Sequence, residues 1–212
     1  MRHVPWALLA VLVTLGAAPA KAPSADAGTA PATRPAFAEK GGVVVIEAEH
    51  FTGRAQGTEM TDHDWTVVKS EKASGGAVVE ATPNNGAGVM DRTTAPRLDY
   101  AVDFATPGTY FVWLRMTGPS GEDDSVHAGL DGRAATFGGL GMCHSAYGRL
   151  EWVNAVWDRS GPVTVEVGQA GRHTFQLWMR EDGVQVDKIV LIREPAVSPN
   201  GEGPRESGPS AR

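Results

Sequence analysis

A single cysteine, Cys143, stands in the 212-residue chain, so no intrachain disulfide can form and stability has to come from a core or a bound ion. Positive charge is not in surplus either. The formal charge is -6, and nothing in the composition suggests a nucleic-acid partner. Long apolar runs are scarce: residues 6–15 form one, too short for a comfortable membrane span, and no other stretch approaches the ~20 residues needed. Helical composition is missing as well, since 26 glycines and 14 prolines cluster at both ends and between β-branched runs.

What is present at the N-terminus is Arg2 and His3, then the apolar run, then Ala18 and Ala20. This is the layout of a cleaved secretory signal peptide over residues 1–20, which predicts a secreted or periplasmic protein with no membrane attachment after cleavage. Paired arginines and a cysteine near the cleavage site are both absent, so twin-arginine export and lipid modification lack their residues. Residues 21–40 are rich in Ala, Pro, Ser and Thr and read as a flexible linker; residues 195–212 read as a flexible tail. Between them, residues 41–194 carry repeated strand signals, enough for one two-sheet core. No internal repeat is visible.

The clearest strand is RLDYAVDF, with Leu98, Tyr100, Val102 and Phe104 facing one way and Arg97, Asp99 and Asp103 the other. TYFVWLRM is apolar on both faces and reads as a central strand. With PVTVEV, RHTFQLWM, VQVDKIVLIRE and the upstream runs, about nine strands predict an all-β antiparallel sandwich. One strand raises a question. In VVVIEAEHF, alternation puts Glu47 and Glu49 on the same face as Val43 and Val45, so either that end surfaces into water or a cation lies between the carboxylates. Cys143 and His144 are adjacent, and neighbours on an extended chain point to opposite faces, which argues against a nucleophile and base pair. Gly138 to Gly141 lack the glycine fingerprint of a nucleotide site, and the His63 region has no second histidine at metal-ligand spacing.

The ordered set VVVIEAEHF, ASGGAVV, RLDYAVDFATPGTYFVWLRM, DDSVHAGLDG and GRHTFQLWMREDGVQVDKIVL resembles the β-sandwich carbohydrate-binding modules of families six and thirty-five. It is especially similar to the C-terminal domain of family 115 glucuronidases and its free-standing relatives. The resemblance implies a galactose-binding-domain-like jelly roll with a structural calcium held by Glu47, Glu49 and Asp187. Calcium takes six to eight oxygen ligands, largely carboxylates and carbonyls, which agrees with that set. Asp187 shares strand parity with Ile189 and Leu191 and is expected, like Glu47 and Glu49, to point towards the core, where three carboxylates without a cation would repel one another.

In modules of this kind sugar binds at the loops on one end of the sandwich or on a sheet face. The candidate ligand residues are Arg115, Asp123 and Asp124 in one loop region, Arg180, Glu181 and Asp182 in a second, Trp152 in a third and Asn85 in a fourth. Tyr147, Asn154, Trp157 and Met90 stand in the same loops, and Trp113 and Trp178 share the arginines' parity. An arginine at a rim could clamp a uronate carboxylate, and the acids could accept sugar hydroxyls. The family six asparagine before the last strand is replaced by REDG, which changes the expected sugar contact. The expected function is therefore an exported, non-catalytic, monomeric module that binds a polysaccharide or uronate-bearing glycan. The alternatives are an adhesive sandwich with a protein partner and a small glycoside-acting enzyme; relatives place catalysis in other domains, so no catalytic residue is assigned.

Overall fold

The alternation in RLDYAVDF is reproduced by the fold: Leu98, Tyr100, Val102 and Phe104 are buried, while Arg97, Asp99, Ala101 and Asp103 are half-exposed. The computed structural model describes residues 35–136, 142–143, 147–156, 161–195 and 197–209. The expected signal peptide, together with Gly138 to Gly141, His144 and Trp157, lies outside these residues. Among the described residues no helix is long and apolar enough to cross a membrane.

Fourteen strands form among the described residues: β1 (Phe37–Ala38), β2 (Val43–Glu47), β3 (Gly53–Ala55), β4 (Asp64–Lys69), β5 (Ala77–Thr82), β6 (Arg97–Phe104), β7 (Gly108–Thr117), β8 (Ser125–Leu130), β9 (Arg133–Ala134), β10 (Met142–Cys143), β11 (Glu151–Val153), β12 (Thr164–Val167), β13 (Gly171–Met179) and β14 (Gln185–Ile192). One sheet runs β1-β6-β13-β8-β10, with β3 also on β6 and β9 also on β8. The other runs β11-β7-β14-β5-β4, with β12 also on β7 and β2 also on β14. Pairing is antiparallel except for β1 on β6. The sheets stack as the expected all-β sandwich of jelly-roll type. Its core joins Val44 and Ile46 of β2, Tyr110, Val112, Leu114 and Met116 of β7, Phe175 and Leu177 of β13, and Ile189 and Leu191 of β14.

β14 corrects one expectation. Its register shifts between Val186 and Lys188, and Val186 and Ile189 both enter the core. Two inward residues three positions apart mean that one extra residue has been inserted. This bulge turns Asp187 away from the core, onto the outer face of the second sheet, where Arg115 of β7 meets it. Strand parity could not foresee the change of phase.

The ends also differ from expectation. Residues 35–40 are not all linker: Phe37 is buried, and the Glu39 side chain accepts the Ala105 N–H at 2.9 Å. Residues 198–209, expected as part of a flexible tail, lie along the free edge of β2. The Ser207 N–H donates to the Val45 carbonyl at 2.9 Å, the Val45 N–H to Ser207 Oγ at 3.0 Å, and the Glu47 N–H to Glu206 Oε1 at 3.0 Å. Glu206 also pairs with His50 at 2.8 Å. Polar groups satisfying an edge strand do the docking, so the tail's lack of apolar residues carried no signal. Deleting residues 200–212 is expected to lower stability by at least about 3 kcal/mol, at about 1 kcal/mol for each of the three hydrogen bonds to β2 alone, or at least roughly 6–12 °C in thermal midpoint. An unchanged midpoint would mean that the strap is not held in solution.

Candidate functional site

Three regions of polar side chains stand out, all on the second sheet or the loops at one end of it. The first is the carboxylate cluster. Val43, Val45 and Glu47 share the outer face of β2, and the chain then enters one turn of 3-10 helix, Ala48–His50, which carries Glu49 and is held by the Tyr100 hydroxyl donating to the Ala48 carbonyl at 2.9 Å. Asp187 is fully buried and accepts from Arg115 Nη1 at 2.6 Å and from the Ser74 N–H at 2.9 Å. Glu47 accepts from Lys188 Nζ at 3.0 Å and from Ser74 Oγ at 2.7 Å. Glu49 Oε2 is buried with no hydrogen-bond partner. Burial, with added repulsion from Glu47 and Asp187, holds the Glu49 carboxyl above its ordinary value, against the pull of its own backbone N–H and of His50.

Two of the three carboxylates expected to hold calcium thus have cationic partners already, Asp187 in Arg115 and Glu47 in Lys188, and the Lys72 carbonyl is taken by Arg115 at 3.3 Å, which leaves the Glu49 oxygen without a partner. Among the described residues no three acidic, His or Cys side chains already converge on one point, because Arg115 and Lys188 each hold an oxygen of the set.

The second region is the loop rim. Arg180, Glu181 and Ser125 form a tight knot: Arg180 Nη1 donates to Glu181 and to Ser125 Oγ, and Ser125 Oγ donates to Glu181 Oε2. The Asp124 N–H donates to Glu181 Oε2 at 3.1 Å. Burial, and then the charge of Glu181, lift the Asp124 carboxyl to about 6; Arg180 and a hydrogen bond with Tyr147 oppose the rise. Two large residues flank the knot in water. Tyr147 is 50% exposed beside Asp124, and Met90 is 67% exposed with Sδ 3.8 Å from Arg180 Nη2.

The third is an open groove of about 570 Å³ on the outer face of the second sheet. Glu80 of β5, Gln185 of β14 and Thr117 of β7 are cross-strand neighbours on its floor, and Gln185 Nε2 donates to Glu80 Oε2 at 2.7 Å. Ser70 and Lys72 form one wall, Pro119 and Leu150 the other. Asn84 and Gly183 lie where the groove meets the rim.

With this geometry in hand, residues 36–206 match the family described as the glycosyl hydrolase family 115 C-terminal domain. The chain belongs to that family. A family-scale relative, an uncharacterized protein P23 of Formosa agariphila, is 26% identical over 206 residues, covering 79% of this chain and 48% of that protein. The chain thus spans about half of that relative's length. Among solved structures the fold is similar to a Podospora anserina GH26-CBM35 β-(1,4)-mannanase, at 16% identity and TM-score 0.48, covering 76% of this chain and 31% of that one. It is also similar to a family 35 carbohydrate-binding module from Clostridium thermocellum, at 12% identity and TM-score 0.47, covering 70% and 96%.

In this member of the family the expected ligand residues divide. Asp124, Arg180 and Glu181 meet at the rim, and Asp123 is buried beside them in the 118–125 loop. Arg115 is not with Arg180: it faces the outer side of β7 and is held in the carboxylate cluster by Asp187. Asp182 is fully buried, and its Oδ2 accepts the N–H groups of Asn85, Gly86 and Ala87 at 2.6, 3.0 and 3.0 Å, so it fastens the loop that carries Asn85. Trp152 lies beneath the C-terminal strap, its Nε1 donating to the Gly201 carbonyl at 3.1 Å, and Gly203 leaves out the Cβ that would strike its ring. Trp113 packs half-buried on the same outer face and Trp178 is buried, with Arg92 5.5 Å over its ring. Asn154 donates to the Val163 carbonyl at 3.0 Å and serves the fold. Glu80, Gln185, Ser74 and Lys72 were not singled out from sequence. The register between β5, β14 and β7 reveals Glu80 and Gln185, and the packing of the β4–β5 loop reveals Ser74 and Lys72; no local pattern encodes either.

Proposed function

We propose that this family member is an exported, non-catalytic module that binds a polysaccharide along the groove and its rim, with calcium held by Glu47, Glu49 and Asp187. The observation that carries the reading is the open groove whose floor is a row of hydrogen-bonding side chains, Glu80, Gln185 and Thr117, and whose lining residue Gly148 is the chain neighbour of the half-exposed Tyr147. Such a surface offers partners to ring hydroxyls and a flat apolar face to a pyranose. Family membership supports the same ligand class. Export rests on the N-terminal pattern of Arg2, His3 and the apolar run. Calcium would have to displace Arg115 from Asp187 and Lys188 from Glu47 before those carboxylates could take it.

The groove and rim favour a neutral glycan over a uronate. Arg115 is committed to Asp187 and Arg180 to Glu181, so neither is free to clamp a carboxylate, and among the described residues lining the groove the single cation, Lys72, is outnumbered by Glu71 and Glu80. Hydrolysis is the weaker reading: glycosidase carboxyls stand roughly 5–9.5 Å apart, whereas Asp124 and Glu181 are in hydrogen-bond contact. The test is an array of neutral and uronate-bearing polysaccharides, probed with the full chain, with and without calcium. Neutral glycans are expected to bind, and Tyr147→Ala to weaken binding roughly threefold to tenfold, the worth of one ring contact, with the thermal midpoint unchanged. Preference for uronates would overturn the ligand class, and no binding to any glycan would favour the adhesive alternative.

A further inference from the structure

Although open to solvent along its top, the groove has only one open end. Its floor is a single row across the outer face of the second sheet, Glu80 of β5, Gln185 of β14 and Thr117 of β7, joined by register. Side chains on one face of a strand recur every two residues. The next row towards the carboxylate cluster therefore holds Val78 of β5 and Arg115 of β7, with Asp187 turned onto the same face by the bulge. On β5 it is Val79 and Ala81 that enter the core, so Val78 faces outward. Yet Val78, Arg115 and Asp187 are only 1%, 9% and 0% exposed. An outer face is dry only where something lies on it.

Two segments make that cover. Loop 70–76, between β4 and β5, lies on Asp187 through the Ser74 N–H at 2.9 Å and on Arg115 through the Lys72 carbonyl at 3.3 Å. The C-terminal strap continues the cover across the sheet: Lys188 Nζ donates to the Glu202 and Pro204 carbonyls at 2.9 and 3.1 Å, and Trp152 Nε1 to the Gly201 carbonyl at 3.1 Å. Trp152 is the register partner of Arg115, so the cover runs from β5 to β11 one row beyond the floor. The opposite end has no such cover. There the lining residues Asn84, Pro119 and Gly148 are exposed, and Tyr147, next to Gly148 in the chain, is 50% exposed. The groove is blind at the cluster and open at the rim, and its volume of about 570 Å³ is that of a small-molecule site. A chain lying along it enters by its end.

We propose that the groove takes the terminal residues of a neutral glycan chain, with the body of the chain leaving past the rim, and does not bind chain interiors. The inference rests on the carbohydrate-binding reading and narrows it to chain ends. Isothermal titration of the full chain is run against soluble xylan, mannan and β-glucan, and against the oligosaccharides of two to six residues cut from each. One protein is expected to bind per chain whatever the chain's length, with equal affinities for polysaccharide and hexasaccharide when counted per chain end. Gln185→Ala is expected to weaken hexasaccharide binding roughly threefold to tenfold, the worth of one floor hydrogen bond. Several proteins per chain, rising in number with its length, would overturn the chain-end proposal and leave carbohydrate binding standing. Chain-end binding that Gln185→Ala leaves unchanged would lie outside the groove and would overturn it as well. No binding to these glycans or to any on the array would overturn the carbohydrate reading itself, and this proposal with it.

Discussion

Arg115→Ala, measured in EDTA, is expected to lower the unfolding free energy by about 3–5 kcal/mol, the range for removing one partner of a buried ion pair. The reason lies with Asp187, which has no exposed surface and whose Oδ2 takes Arg115 Nη1 at 2.6 Å. Without the guanidinium, Asp187 keeps only Ser74, among two like charges at Glu47 and Glu49. Adding calcium should restore part of the loss, since a divalent cation supplies the positive charge that was removed. Urea unfolding of wild type and variant, in EDTA and in calcium, measures both effects. A loss below about 1 kcal/mol in EDTA would show that water already solvates Asp187 and that the pair behaves as a surface salt bridge. The same loss with and without calcium would show that no cation acts there.

The second large effect is expected at Asp182→Ala. One oxygen, Oδ2, takes three successive backbone N–H groups from residues 85–87 and faces His63 Nε2 at 3.3 Å. Hydrogen bonds to a charged group are worth about 1.5–3 kcal/mol each, and water replaces some of them at a loop, so a net loss of about 3 kcal/mol is expected. Burial pushes the Asp182 carboxyl up, but the N–H groups of Asn85 and Ala87 together with His63 outweigh it and hold it below the ordinary value. The sign follows. A carboxyl lowered in the folded state contributes its stability in full above the unfolded value of about 3.9, and the contribution is lost as pH falls through the lower folded value. Wild type should therefore lose stability on acidification below about pH 4 more steeply than Asp182→Ala, as read by urea midpoints between pH 2 and 7. Parallel curves would refute the assignment. Because the same loop leads to Met90 at the rim, glycan affinity should fall in the variant as well.

How much of this was legible beforehand depends on the range over which each feature is encoded. Alternation is local, and it placed Leu98, Tyr100, Val102 and Phe104 inward without error, but it could not say which face of β2 meets the core: Glu47, expected inward, lies with Val45 on the outer face of the second sheet. The rim group of Asp124, Arg180 and Glu181 could be anticipated because each follows or precedes a strand whose end is marked by turn residues. Arg115 was misplaced because the pattern gives the face of a strand and not the neighbour across it. Asp187 was misdirected because a bulge changes the phase of β14 at that residue, and a bulge depends on what β7 and β2 require of their partner.

From its residues alone, this protein was committed to an all-β sandwich with one cysteine, a negative charge and an acidic first strand, because composition and a two-residue period need no knowledge of the partners. Only the tertiary structure decided that Asp187 would meet Arg115, that residues 198–209 would strap the edge of β2 over Trp152, and that loop 70–76 would lie on both the carboxylates and the groove. Each of these is a pairing between segments far apart in the chain, made by hydrogen bonds and charge. Polar partners of that kind leave no periodic trace in the sequence; they exist only once the sheets have brought them together.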